Sequence, residues 1–124
     1  MIDIRHCDNL TLMKEVEDNS VDLIYCDILY GTGKKFKDYQ DLKPNKKTIE
    51  EHYIPRLKEM QRILKDGGSI YLQMGDKINH WIRCLMDDIF GYDNFNNEII
   101  WSYKRWAGKS QRKYQIMHDI ILFY

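Results

Sequence analysis

The run Val21-Asp22-Leu23-Ile24-Tyr25-Cys26 constrains the fold more than any other feature of this chain. It is short and nearly all apolar, the pattern of a strand covered on both faces. Strands of that kind belong to sheets with helices above and below. The surrounding pattern agrees, because apolar runs alternate with helical spacing. Ile2 to His6 reads as a first short strand. Asp8 or Asn9 can cap a helix in which Leu10, Met13 and Val16 recur at helical spacing. Asp18-Asn19-Ser20 is a turn, since short polar side chains satisfy local backbone groups.

After a polar loop from Gly31 to Lys47, Thr48 and Glu51 have the spacing of a capping box. Tyr53, Leu57, Met60 and Leu64 mark one face of the helix it opens, and Pro55 inside that face predicts a kink or a late start. Gly67-Gly68 stops the helix, and Ser69 to Met74 is the next strand. Ile78, Trp81, Ile82, Leu85, Met86, Ile89 and Phe90 form the clearest helical stripe, ended by Gly91. Asn97 to Tyr103 and Asp119 to Tyr124 are the last two strands. With no helical pattern between them, they are expected to pair antiparallel. This order argues a doubly wound α/β layer, and a last strand that needs neighbours to cover it. Trp81 and Trp101 fall on core periodicity.

Composition excludes several classes. Of 124 residues, 44% are hydrophobic and 31% charged, enough for one core with a thin margin. The formal net charge is zero, so no overall field draws the chain to nucleic acid or membrane. Cys7, Cys26 and Cys84 are odd in number and far apart, which argues against a disulfide framework or a zinc site. They read as buried reduced thiols in a cytoplasmic protein. No apolar run reaches membrane-spanning length, and an amino end carrying Asp3 and Arg5 does not read as a signal peptide. The four histidines show no ligand spacing, so no metal is assigned.

The chemistry concentrates at the end of the first apolar run. Asp27-Ile28-Leu29-Tyr30 opens onto Gly31-Thr32-Gly33. In open α/β sheets ligands sit beyond the carboxyl ends of strands. A carboxylate there accepts a proton or hydrogen bonds, and a ring three positions on can stack on a flat substrate. The glycines are not a dinucleotide fingerprint, because Phe36 stands in the third glycine's place. A Walker loop fails too, since Ile28 and Lys35 occupy positions that need Gly and Ser or Thr. A flexible turn is the better reading.

Lys34, Lys35 and Lys37 come next, where a phosphate backbone would pass. From Ile99 to His118 there is no acid at all. That stretch holds Lys104, Arg105, Lys109, Arg112 and Lys113, interleaved with Tyr103, Trp106 and Tyr114. Cations mixed with aromatics suit nucleic-acid contact; a solvated hairpin loop accounts for the run equally well.

Several runs together resemble one family. Asp8-Asn9-Leu10, Ser20 to Asp27, Tyr30-Gly31-Thr32-Gly33, Leu64 to Leu72, Phe90-Gly91-Tyr92, Asn97 to Trp101 and His118 to Tyr124 resemble, in order, the N4-cytosine/N6-adenine site-specific DNA methyltransferases. The order is that of the permuted subclass, in which the catalytic half comes first. The resemblance implies a partial, doubly wound, Rossmann-like methyltransferase sheet over residues 1–124, with a C-terminal antiparallel hairpin. The cofactor's Gly-x-Gly half and the target-recognition region are expected in a missing C-terminal half. It implies S-adenosylmethionine as cofactor and double-stranded DNA as partner; adenine N6 is the expected target, with cytosine N4 as the alternative.

In that family an (Asp/Asn/Ser)-Pro-Pro-(Tyr/Phe/Trp) motif grips a flipped base. Carried over, Asp27 and the Ile28 carbonyl accept the exocyclic amine and Tyr30 stacks on the base through its ring, not its hydroxyl. Asp8, ending the first strand, matches an acid that contacts the cofactor's adenine, and Asp27 is the second expected cofactor contact. Ile28-Leu29 replaces Pro-Pro, so packing must supply the shape that proline would preset. Two rivals are a nucleic-acid-binding α/β module without catalysis, and a piece that completes its sheet with a partner chain or a second copy.

Overall fold

Four strands form one mixed sheet in the order β1-β2-β4-β3 in the computed structural model of the chain, which describes residues 1–106, 108 and 112–124. β1 (Val21–Asp27) and β2 (Leu64–Met74) run parallel and are joined through α2 (Lys46–Ile63). β4 (His118–Phe123) lies antiparallel to β2, and β3 (Asn97–Ser102) antiparallel to β4. A short α1 (Asn9–Met13) and α3 (Asn79–Phe90) complete the layer. The expected hairpin of the last two strands is present, and Gly91 ends α3 as its spacing predicts.

The core has one centre. Ile49, Tyr53, Leu57, Met60 and Ile63 of α2 and Ile82, Leu85 and Met86 of α3 are buried with Ile70, Leu72, Met74, Ile120 and Leu122 of the sheet. Each fully buried aliphatic chain of this size contributes roughly 1.5–3 kcal/mol. These sheet residues alternate along β2 and β4, so they share one face.

The other face is open, which corrects the expectation of a β1 covered on both sides. Leu23 is 59% and Tyr25 58% exposed, and Trp101 of β3 is exposed rather than packed. Apolar content alone does not reveal this, because it takes another layer to bury a second face. The last strand needs no further neighbours: β4 is central, between β2 and β3. The sheet's edges are β1 and β3.

Local structure departs from the sequence reading in five places. Ile2 to His6 forms no strand and is exposed. Arg5 pairs instead with Asp3 and Glu15, and among the described residues no strand lies along the outer β1 edge. Asp8 does cap α1, accepting from the Leu10 and Thr11 amides at 2.9 and 3.4 Å. α2 starts two residues before Thr48, capped by Asn45, whose side chain accepts from the Thr48 amide at 3.2 Å. It then runs through Pro55 to Ile63 without a break. Gly67-Gly68 lies inside β2, not before it. The register jumps from Val21–Leu64 to Leu23–Ser69, and the left-handed Gly67 (φ 78°) takes up the extra residues. Cys7 and Cys84 are free but exposed; Cys26 is half-buried, and burial pushes its thiol pKa up.

No helix among the described residues is long and apolar enough to cross a membrane.

Candidate active site

The site gathers at the carboxyl end of β1. Asp27 is the last residue of the strand and registers with Gln73 of β2. The ladder continues one step further, since the Ile28 amide donates to the Gln73 carbonyl at 3.1 Å. The Ile28 side chain enters the core. Leu29 is half-buried, and its carbonyl accepts from the Tyr53 hydroxyl at 3.2 Å. Packing and main-chain bonds therefore fix the turn that proline would otherwise preset. Gly31 then turns the chain at φ 67°, and a Cβ there would collide with Ile78. Only glycine suits that position.

Asp41 orders the next stretch. It is the one charged side chain buried among the described residues, at 3% exposure. Its carboxylate accepts from the Gly31 amide (3.1 Å), the Thr32 amide (2.8 Å), the Thr32 hydroxyl (2.5 Å) and the Leu42 amide (2.7 Å). Burial pushes its pKa up, but these donors outweigh that, and the carboxyl sits below the usual carboxylate range. Residues 33–42 form a small hairpin on this support. Gly33 and Asp41 amides donate across it to Leu42 and Lys34, and Phe36 donates to Tyr39 at its tip. The glycine turn is thus built, not a flexible connection.

Opposite requirements govern Asp27. It is exposed, and its carboxylate accepts no hydrogen bond from the described residues. It lines a pocket of about 420 Å³ with Ile28, Leu29, Tyr30, Phe36 and Tyr39. One buried acid holds the shape while one open acid offers lone pairs.

The Tyr30 hydroxyl, which base stacking does not use, is engaged within the protein. It donates to Asp119 at 2.9 Å, and Gln73 donates to both of them at 3.3 and 3.1 Å. Tyr103 donates to the other Asp119 oxygen at 3.0 Å, and Tyr25 to the Gln73 amide oxygen. Burial and the Asp119 bond push the Tyr30 phenol well above its usual pKa, so it remains a donor at any physiological pH. The Tyr30 ring lies against Gly75, where a Cβ would be 3.1 Å from it. Sequence reasoning missed Asp41, Gln73 and Asp119. A signal for Asp119 exists: an acid opening a strand that runs antiparallel sits at the same sheet end as an acid closing a parallel one. Nothing in the local sequence singles out Asp41 from other loop acids.

The remaining predicted residues lie elsewhere. Asp8 does not line the pocket; its carboxylate caps α1 and pairs with Arg56 at 2.6 Å, and the Arg56 bond holds its pKa low. It also ends no strand. Lys34, Lys35 and Lys37 are exposed on the hairpin. Lys104, Arg105, Trp106, Arg112 and Lys113 are exposed on the segment after β3, with Trp106 at 98%. Arg105 stands 4.8 Å over the Tyr103 ring and donates to its hydroxyl. Lys109 lies outside the described residues.

Comparison with known proteins identifies the family. The chain is 37% identical over 120 residues to the type II methyltransferase M.HpaI of Haemophilus parainfluenzae, covering 95% of this chain and 37% of that protein. It is 30% identical over 131 residues to the type II methyltransferase M.KpnI of Klebsiella pneumoniae, covering 94% and 30%. The chain thus spans about a third of the length of these curated relatives. Among solved structures, the PvuII DNA methyltransferase (cytosine-N4-specific) matches the fold with a TM-score of 0.67 at 15% identity, over 94% of this chain and 46% of that one. Residues 21–124, which hold every residue of the pocket, match the N6/N4 DNA methylase family, and the chain belongs to it.

Proposed function

We propose that residues 1–124 are the catalytic portion of a longer S-adenosylmethionine-dependent DNA methyltransferase, acting on the exocyclic amino group of a base flipped out of duplex DNA. The observation that carries this reading is the unsatisfied Asp27 carboxylate in a pocket shared with the Tyr30 ring. A flipped base stacks on Tyr30, and its amino hydrogens meet the Asp27 carboxylate and the Ile28 carbonyl. Two acceptors on those hydrogens turn the nitrogen lone pair outward. On transfer the nitrogen would take the methyl as the methyl's bond to the sulfonium sulfur broke, and the surplus amine proton would afterwards leave to solvent. Asp27 would offset the positive charge growing on the nitrogen. That interaction is strongest in the transition state, where it lowers the barrier.

S-adenosylmethionine supplies a methyl group on a sulfonium when bound. The residues here fit one edge of such a group: Asp27 offers an open acceptor, while the glycine turn that would admit the methionine and ribose is not in this sequence. We assign that part, and target recognition, to the rest of a longer chain. The bare outer face with Leu23 and Tyr25, beside the unpaired β1 edge, is where such a part would pack. Self-association is the other way to cover it. The narrower reading is adenine N6 as the target and the cytoplasm as the compartment. Lys34, Lys35, Lys37, Lys104, Arg105, Trp106, Lys109, Arg112 and Lys113 are read as the duplex-contacting set, with Asp8 as a cofactor contact.

The test is Asp27→Ala in the full-length protein. Methyl transfer from labelled S-adenosylmethionine to plasmid DNA should fall by about two orders of magnitude or more. DNA affinity should stay nearly intact. Unchanged turnover would sink the assignment, and nucleoside analysis of the product separates N6-methyladenine from N4-methylcytosine.

A further inference from the structure

We infer that the stacked rings of Phe36 and Tyr39 are a second base-contacting element, which rests on the DNA reading above but adds residues and a contact to it. The two rings cap the 33–42 hairpin with centroids 4.8 Å apart and planes 16° from parallel. Each ring spends one face on the other, yet Phe36 remains 41% and Tyr39 50% exposed. The pair lines the same pocket as Asp27 and Tyr30.

Exposed aromatic rings at a turn contribute little to folding, so a tip built this firmly calls for another explanation. The Phe36 amide donates to the Tyr39 carbonyl at 2.8 Å, Gln40 donates to three carbonyls of the hairpin, and Asp41 anchors its base. The result is a rigid, flat, apolar platform. Stacking on it costs little ordering. A nucleobase is the ligand whose flat face and flanking charge match this tip. Lys34, Lys35 and Lys37 are exposed on the same 33–42 hairpin, on which Asp38 is the one exposed acid, and so favour phosphates beside the stacked group. A protein partner would cover the rings equally well but gives no reason for the lysines. The base concerned is unpaired, either the flipped target held from the side away from Tyr30 or its neighbour in the opened strand.

The experiment uses the full-length protein and fluorescence anisotropy with two probes, an oligo-dT and an abasic oligomer of the same length. The parent should bind oligo-dT more tightly. The double variant Phe36→Leu, Tyr39→Leu should lose about tenfold or more of its oligo-dT affinity, the usual worth of base–aromatic stacking, with abasic binding unchanged. The aromatic-preserving exchange Phe36→Tyr, Tyr39→Phe should retain the parent's preference. Tyr39→Leu alone serves if the double variant melts early. The inference is overturned if the leucine variants keep the oligo-dT preference, if both probes weaken equally, or if the aromatic exchange is as damaging. Asp27→Ala reads the functional proposal separately. Should that variant show that no methyl transfer depends on Asp27, the ring contact still stands or falls on the two probes.

Discussion

The loop after β1 and the segment after β3 leave the same end of the sheet, but only the first is folded around a buried charge. Residues 28–45 close on Asp41, with four donors on one carboxylate and a hairpin ladder beyond it. The described residues of 103–117 have lighter ties. Gln115 reaches the Trp106 carbonyl at 2.7 Å, and Tyr103 reaches Asp119. Trp106 and Tyr114 remain in water. Rings in water add nothing to the burial that drives folding. The contrast separates the preformed part of the site from the rest. The pocket floor and the hairpin are in place before any ligand arrives, whereas the basic segment leaves the Trp106 and Tyr114 rings uncovered. Asp119 joins the two, since its two oxygens hold Tyr30 and Tyr103.

The most damaging change to the preformed loop is the double exchange Ile28→Pro, Leu29→Pro. It deletes the Ile28 amide bond to Gln73 and a core side chain. We expect about 3–5 kcal/mol lost in denaturant unfolding, with lower methyl transfer by the full-length protein. A gain of activity would mean that the preset backbone, not local packing, is what the turn lacks.

Asp41→Ala comes next. It strands the Gly31 and Leu42 amides and should cost about 2–4 kcal/mol. Asp41 also gives the loop a pH dependence. Its folded pKa lies below the ordinary carboxylate value, so its contribution is present above about pH 4 and is lost as pH falls through the folded value. Acid unfolding monitored by circular dichroism should show this limb, and Asp41→Asn should flatten it. An unchanged acid limb in Asp41→Asn would move the effect to another carboxyl.

Tyr30→Phe removes the bond to Asp119 and the one from Gln73 and should cost about 1–2 kcal/mol. The ring persists, so base affinity should fall less than in Tyr30→Ala, where a stack worth roughly 1–3 kcal/mol is removed. Equal losses in the two variants would show that the hydroxyl network, not the ring, carries binding.

The smallest stability effect belongs to the second segment. Lys104→Ala with Arg112→Ala should move unfolding by less than about 0.5 kcal/mol. The same pair should lower the salt slope of DNA binding by about one for each phosphate no longer neutralised, for all sequences alike. A large stability loss with an unchanged slope would erase the contrast between the two loops.

Local sequence was enough for the α/β class, the stripe of α3, the antiparallel pairing of β3 with β4, and the placing of Asp27 and Tyr30 at a strand's carboxyl end. These rest on periodicity and on residue types whose preferences are local. It also pointed to packing as the support for Ile28-Leu29. It could not say that β1 has one bare face, because apolar residues look alike whether or not a second layer covers them. Nor could it tell Asp41 from Asp38. One is buried with four donors and the other exposed, and only the path of the hairpin decides which. The partnership of Tyr30 with Asp119, 89 positions apart, depends on strand order: β4 must insert between β2 and β3, running backward, to bring its first acid beside the turn that closes β1. Long-range pairing of this kind is set by how elements pack together, which no window of local sequence contains.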